Sequence, residues 1–308
     1  MILTLTLNPA IDLTLSTDRI VYDDRSLILA ESEHAGGKGI NAAQVIHAYG
    51  GDVHAISTIG GATGKRFAEL VEDSRIPVTL IPVQGETRWN FAATDDQGLT
   101  IKLDHEGTPL SKEELALIEG AVREKLPHAS WLMLTGSLPP GVPPEFYAQL
   151  IAESHRHKVP VLFDSSGEAL RLGLAAKPSV AKPNRPEAER LLDRTILSQS
   201  QAASAAEEMR QMGAERLILS MGSQGAIAAW EEGLLRAVPP AVQTGCPLGA
   251  GDVLAATCVW ALSRNLSFPE AFGWATAAAT VSAAKPGITF GPLEEVEQMR
   301  QRIEVRST

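Results

Sequence analysis

Cysteine is nearly missing from this 308-residue chain. Only Cys246 and Cys258 occur, which excludes a disulfide framework and a cysteine-built metal site and fits a reducing, cytoplasmic setting. Positive charge is also in deficit: 27 Lys and Arg stand against 37 Asp and Glu, for a net charge of −10. No nucleic-acid or membrane partner is therefore expected, and any anionic ligand must be held by a few chosen cations. No apolar run reaches the ~20 residues that a membrane span needs. The best candidate, Ala271 to Ala284, is Ala-rich and closed by Lys285-Pro286, and it reads as a buried helix. The opening residues, Met1-Ile2-Leu3-Thr4-Leu5-Thr6, carry no basic stretch and reach Asp12 quickly, unlike a signal peptide. The seven histidines form no His-x-x-x-His or Cys/His cluster, so zinc is not expected.

What the chain does have is a rhythm. With 44% hydrophobic residues it can bury the core of one large domain spanning residues 1–308. Met1 to Leu7 alternates apolar and polar residues. Val53 to Ile59, Val78 to Val83, Trp131 to Leu134, Val159 to Phe163, Ser179 to Ala181 and Leu217 to Met221 read as further strands. Between them lie helical stretches such as Lys112 to Lys125 and Pro144 to His157, and Ala42, Val45, Ile46 and Tyr49 recur at i, i+3, i+4, i+7. This alternation predicts an α/β fold with a largely parallel sheet and helices on both faces, and a ligand crevice beyond the carboxyl ends of the strands. Two places break the rhythm: Ile11 to Ser16 with Ser26 to Ala30, and Arg88 to Thr94 with Leu99 to Asp104. They read as strands without intervening helices, within excursions over about 11–34 and 87–105. They form either a small separate sheet acting as a lid or edge strands of the main sheet.

Several glycine turns fall where a crevice would lie. In Gly249-Ala250-Gly251-Asp252, before the apolar run Val253-Leu254-Ala255-Ala256, two glycines let a backbone approach an anion and a helix start supplies amide donors. Asp252 there suits a base beside a reacting phosphoryl group, although a bare helix cap would explain it equally. Gly37-x-Gly39-x-x-Ala42 mimics a dinucleotide fingerprint, but the following strand ends Ile59-Gly60-Gly61 with no ribose-holding acid. Glu31-Ser32-Glu33-His34 is also a poor strand to precede the glycines. Lys38 and Asn41 on that turn suit a phosphorylated or polyhydroxylated ligand. Gly60 to Lys65 fails as a Walker loop because Ile59 and Arg66 occupy the required positions. Arg88 and Asn90 share one strand face, where they could grip a phosphate and a hydroxyl. Asn184-Arg185-Pro186-Glu187 is a capping box that could also order water around Mg²⁺.

The order and spacing of these motifs resemble the ribokinase-like sugar kinases of the phosphofructokinase B group over essentially the whole chain. The matching segments are Leu7 to Asp12, Gly36 to Asn41, Thr87 to Asn90, Gly136 to Gly141, Asp164 to Leu170, Lys182-Pro183-Asn184 with Glu187, Ser220 to Ala226, and Gly249 to Asp252. The resemblance implies a three-layer α/β/α fold with a small β-sheet lid, and transfer of the ATP γ-phosphoryl to a primary hydroxyl of a ketohexose phosphate. Fructose 1-phosphate leads, with fructose 6-phosphate and tagatose 6-phosphate as rival acceptors. Asp252 is then the base, and the amides of Gly249, Ala250 and Gly251 form the anion hole. Asp12, Gly37, Lys38, Asn41 and Ser137 hold the sugar, while Arg88 and Asn90 hold the phosphate already on it. Asn184 and Glu187 organise Mg²⁺, and Lys182, Asn184, Ser220, Gly222 and Gly225 line the nucleotide site. Arg25 aligns with a lysine that stabilises charge in some relatives. A monovalent cation such as K⁺ and a homodimer through the lid strands complete what the resemblance implies. A nicotinamide-dependent dehydrogenase and a non-catalytic sugar-phosphate sensor are the alternatives from other classes.

Overall fold

The computed structural model describes every residue except Thr244, Pro286 and Ile288; the proposed helix stop at Pro286 therefore lies outside the described residues. In chain order the strands are β1 (Ile2–Thr6), β2 (Ala10–Thr17), β3 (Ile28–Gly36), β4 (Val53–Ile59), β5 (Val78–Pro82), β6 (Arg88–Asp95), β7 (Thr100–Asp104), β8 (Trp131–Thr135), β9 (Val161–Asp164), β10 (Val180–Ala181), β11 (Arg216–Ser220), β12 (Ala226–Trp230), β13 (Gly233–Val238) and β14 (Glu304–Ser307). The helices are α1 (Lys38–Ala48), α2 (Gly61–Asp73), α3 (Lys112–Lys125), α4 (Phe146–Arg156), α5 (Gly167–Ala175), α6 (Arg185–Leu192), α7 (Gln199–Gln211), α8 (Ala250–Ser263), α9 (Phe268–Ala284) and α10 (Leu293–Arg300). None of the described helices is long and apolar enough to cross a membrane.

Ten strands form one sheet in the order β14-β13-β12-β11-β10-β9-β8-β1-β4-β5. The pairs from β5 to β11 are parallel, and β12, β13 and β14 extend the sheet with antiparallel pairs. Period-2 alternation divides its side chains between two cores. Ile2, Met133 and Leu162 join α1, α2, α8, α9 and α10 on one face, while Leu3, Leu5, Leu134 and Phe163 join α3 to α7 on the other. This is the expected three-layer arrangement. The chain switches direction in the sheet between β1 and its neighbours β4 and β8, which opens a crevice at the carboxyl ends of these strands.

The four irregular strands form a separate sheet of order β3-β2-β6-β7, so the edge-strand alternative is set aside. One expectation needs correcting here. A regular strand, β3, does run through Glu31-Ser32-Glu33-His34 to the glycines, because a two-faced exposed strand tolerates polar residues on either side. It nevertheless pairs antiparallel with β2 in the small sheet, whereas β4 after α1 belongs to the large one, so no dinucleotide-type βαβ unit results. Helix α1 begins at Lys38, with Gly37 at its N-cap adopting φ 109°, a conformation open to glycine.

Candidate active site

A cleft of about 1360 Å³ runs between the carboxyl ends of the large sheet and the inner face of the small one. That exceeds a typical small-molecule pocket of ~300–1,000 Å³ and leaves room for two ligands. Every residue singled out from the sequence lines it except Arg25. Arg25 lies exposed in the connection between β2 and β3, where its backbone N–H donates to Asp24 Oδ1 at 2.8 Å. The connection folds on itself, with Asp18 Oδ1 accepting from the Leu27 N–H at 2.8 Å, and this keeps position 25 away from the cleft.

Asp252 sits in the first turn of α8, whose N-cap Gly249 has φ 76°. Such a left-handed start costs glycine little and turns the first amides of the helix toward the cleft. Asn41 on α1 donates from Nδ2 to Asp252 Oδ2 at 2.9 Å, which fixes the carboxylate across the crevice. Burial pushes the Asp252 carboxyl above its ordinary range, with Lys38 and Asn41 offsetting part of the rise. A carboxylate with raised affinity for a proton, beside amides that favour negative charge, is suited to take a proton from an alcohol.

Lys38 and Lys182 meet at a residue that the sequence reading gave no role. Lys38 Nζ donates to Asp164 Oδ1 at 3.0 Å and stands 3.8 Å from Glu187 Oε1, and Lys182 Nζ lies 3.0 Å from Asp164 Oδ2. Asp164 is fully buried at the end of β9. Burial works against its charge, but Lys182 and Lys38 together overcome it and hold the carboxyl below its usual range. Burial likewise opposes the charge on Lys38, and Asp164, Asp252 and Glu187 outweigh it, so the ammonium is held firmly protonated. An acid closing the apolar strand Val161-Leu162-Phe163 was the available signal for Asp164. Its partners lie 126 and 18 positions away in the chain, and this distance hid its role.

The Asn184 to Glu187 cap forms as read. The Asn184 N–H donates to Glu187 Oε2 at 2.8 Å and the Glu187 N–H to Asn184 Oδ1 at 2.9 Å. The cap occupies one oxygen of each side chain and leaves Glu187 Oε1 open toward Lys38. Burial and then Asp164 raise the Glu187 carboxyl. Among the described residues no group of three or more His, Cys, Asp or Glu could hold a metal by itself. Glu187 Oε1 with water and ligand phosphate nevertheless fits Mg²⁺, which keeps several waters and needs few protein carboxylates. Asn184 is bridged in parallel to Ser220, which brings the end of β11 and the glycines at 222 and 225 to the same rim.

Across the cleft, Asn90 Nδ2 donates to Asp12 Oδ1 at 2.9 Å. Burial pushes the Asp12 carboxyl up to about 6, against the lowering effect of that hydrogen bond. Arg88 donates from Nη1 to His105 O at 2.5 Å and from Nη2 to Asn8 O at 3.2 Å. Asn8 Nδ2 in turn donates to Ser137 Oγ at 3.2 Å, and this links the small sheet to the loop after β8. Thr6 and Thr135, closing β1 and β8, also line the floor with buried hydroxyls that lack a protein partner among the described residues. Sequence reasoning missed both, because a threonine in an apolar strand carries no signal of its own.

Residues 5–295 match the family described as pfkB family carbohydrate kinase. The chain is 31% identical over 304 residues to a 1-phosphofructokinase of Vibrio cholerae, covering 99% of this chain and 96% of that protein. It is 32% identical over 289 residues to the ATP-dependent 6-phosphofructokinase isozyme 2 of Escherichia coli, covering 93% of each. The crystal structure of phosphofructokinase-2 from Escherichia coli in complex with potassium superimposes with a TM-score of 0.89 at 30% identity, over 97% of this chain and 98% of that one.

Proposed function

The chain belongs to the pfkB family of carbohydrate kinases, and on that premise we propose that it transfers the γ-phosphoryl group of ATP to the 6-hydroxyl of fructose 1-phosphate, giving fructose 1,6-bisphosphate. The observation that carries this reading is the pairing of Asp252 with the glycine-bordered start of α8, opposite an acceptor wall that presents both a guanidinium and a carboxylate–amide pair. Asp252 removes the proton of the attacking hydroxyl, and the amides of Gly249, Ala250 and Gly251 stabilise the charge that builds on the transferred group. Asp12 and Asn90 orient the sugar hydroxyls, with Gly37, Asn41 and Ser137 beside them, and Arg88 grips the phosphate already present. Lys38 and Lys182 stand by the phosphate chain as cations, each held in place by Asp164. Asn184, Ser220, Gly222 and Gly225 border the nucleotide. Glu187, through Oε1 and water, is the residue that would hold Mg²⁺, which would supply charge neutralisation to the phosphates.

Three finer features belong to the same reading. The small sheet acts as a lid that excludes water. Its far face carries exposed Phe91, Ile101, Leu103 and Leu29, which supports pairing of two copies through the lid strands. K⁺ accelerates turnover, as the potassium-bound relative suggests. Arg25 lies away from the cleft of its own chain and is given no role here.

The test is turnover of fructose 1-phosphate, fructose 6-phosphate and tagatose 6-phosphate by the wild type and Asp252→Asn. Loss of a general base predicts a kcat lower by ~10²–10⁴ with the acceptor KM little changed. Near-normal turnover by Asp252→Asn overturns the assigned base, and no turnover of any ketohexose phosphate by the wild type overturns the reading.

A further inference from the structure

One group at the acceptor end of the cleft has no task in the reaction above. Asp12, Asn90 and Asp104 are cross-strand partners on β2, β6 and β7. They therefore share one face of the small sheet and form a row two strand spacings, ~10 Å, long. All three line the cleft. Asp12 and Asn90 are joined to each other, whereas Asp104 is exposed to the cleft and its carboxylate has no hydrogen-bond or ion-pair partner among the described residues. It stands at the phosphate end of the row. The Arg88 guanidinium is anchored on the carbonyl of His105, the residue after Asp104, and Asp104 is the carboxylate acting most strongly on the Arg88 charge.

We propose that Asp104 is a specificity-determining residue. It accepts a hydrogen bond from a hydroxyl on the sugar carbon that carries the phosphomethyl group, and so selects a ketohexose 1-phosphate over the 6-phosphates. The inference rests on the reading of the cleft as a ketohexose-phosphate site. Its chemistry follows from what each acceptor offers beside the phosphate. In the furanose ring of fructose 1-phosphate, the phosphomethyl group is attached to the anomeric carbon, which also bears a free hydroxyl. In fructose 6-phosphate and tagatose 6-phosphate it is attached to C5, whose only oxygen is the ring ether. An ionised carboxylate can only accept, a hydroxyl can donate, and an ether oxygen cannot. With its phosphate on Arg88, a 1-phosphate gives Asp104 a donor, while a 6-phosphate puts a C–H in the place of that hydroxyl and leaves the carboxylate without a partner. A site that hydrogen-bonds a substrate hydroxyl disfavours the analogue lacking it, because its own polar group is left unpaired.

The experiment compares kcat/KM of the full chain with Mg-ATP on fructose 1-phosphate, fructose 6-phosphate and 2,5-anhydro-D-mannitol 1-phosphate, which has the same ring without the anomeric hydroxyl. The wild type is expected to favour fructose 1-phosphate over the anhydro compound by about tenfold or more. Asp104→Val should bring that ratio to within about threefold of unity and improve the relative use of fructose 6-phosphate. Asp104→Asn, which keeps an acceptor oxygen, should retain part of the preference. A residue that served only the fold would leave these ratios unmoved. An unchanged ratio in Asp104→Val, or a wild type that uses the anhydro compound as well as fructose 1-phosphate, overturns the role of Asp104 while leaving the kinase reading intact. A wild type that turns over no sugar phosphate overturns both.

Discussion

Folding holds Asp12 against its own charge. Its carboxyl moves from an ordinary value of 3.8 to about 6, chiefly through burial. A raised acid binds its proton more tightly in the folded state, so this group's contribution to stability is largest below about pH 4. It is lost as the pH climbs through about 6, and the loss approaches about 3 kcal/mol at neutral pH. Asparagine would accept the same hydrogen bond from Asn90 without the charge. Asp12→Asn should therefore unfold at higher denaturant than the wild type at pH 8, with the difference vanishing near pH 4, while the acceptor KM rises at least tenfold. Equal stability at both pH values would contradict the burial argument. On the proposed role in orienting the sugar, the same side chain trades stability for a hydroxyl-accepting charge, a common compromise at sites built for binding.

At the scale of elements, the start of α8 is kept clear of side chains. A Cβ added at Gly251 would meet nothing nearer than Lys182 Nζ at 3.6 Å, an ordinary contact, and alanine is the better helix former. Gly251→Ala should keep or raise the stability of the ligand-free protein, yet lower kcat by about tenfold or more, because in the proposed anion hole the methyl group would stand where a phosphoryl oxygen meets the amides. Unaltered kcat would remove that amide from the anion hole. The legibility of elements followed their burial. β8 and β9 were readable because strands covered on both faces are short apolar runs, and β1 because its apolar and polar residues alternate. β12, β13 and β14 escaped notice: Ala226-Ile227-Ala228-Ala229-Trp230 lacks β-branched enrichment, and Glu304 to Ser307 is an exposed polar edge. At the site, glycine turns and the cap at Asn184 were visible as local spacing. The placements of Asp164 and Asp104 depend on which strands lie side by side, and no local pattern records that.

For the whole molecule, the outward face of the small sheet is the surface that water covers least favourably. Leu103 is 64% exposed and Phe91 38%, and the two are cross-strand partners, so they form one apolar strip. If two copies pair through this face as proposed, Leu103→Glu should shift the protein toward monomer in analytical ultracentrifugation at micromolar concentration, and a wild type that sediments as a monomer would refute pairing. The sheet order has a consequence for the chain while it is being made. β1 lies between β4 and β8, and the ribosome delivers β8 only after residue 131. At ~5–20 residues per second, the edge of β1 that will pair with β8 waits ~4–15 s after β4 emerges for its second neighbour. Over the same interval the small sheet, complete by Asp104, has all its strands. The nascent chain therefore carries the small-sheet wall of the cleft before the opposite wall exists, with a strand edge open to chaperones or to other unfinished chains.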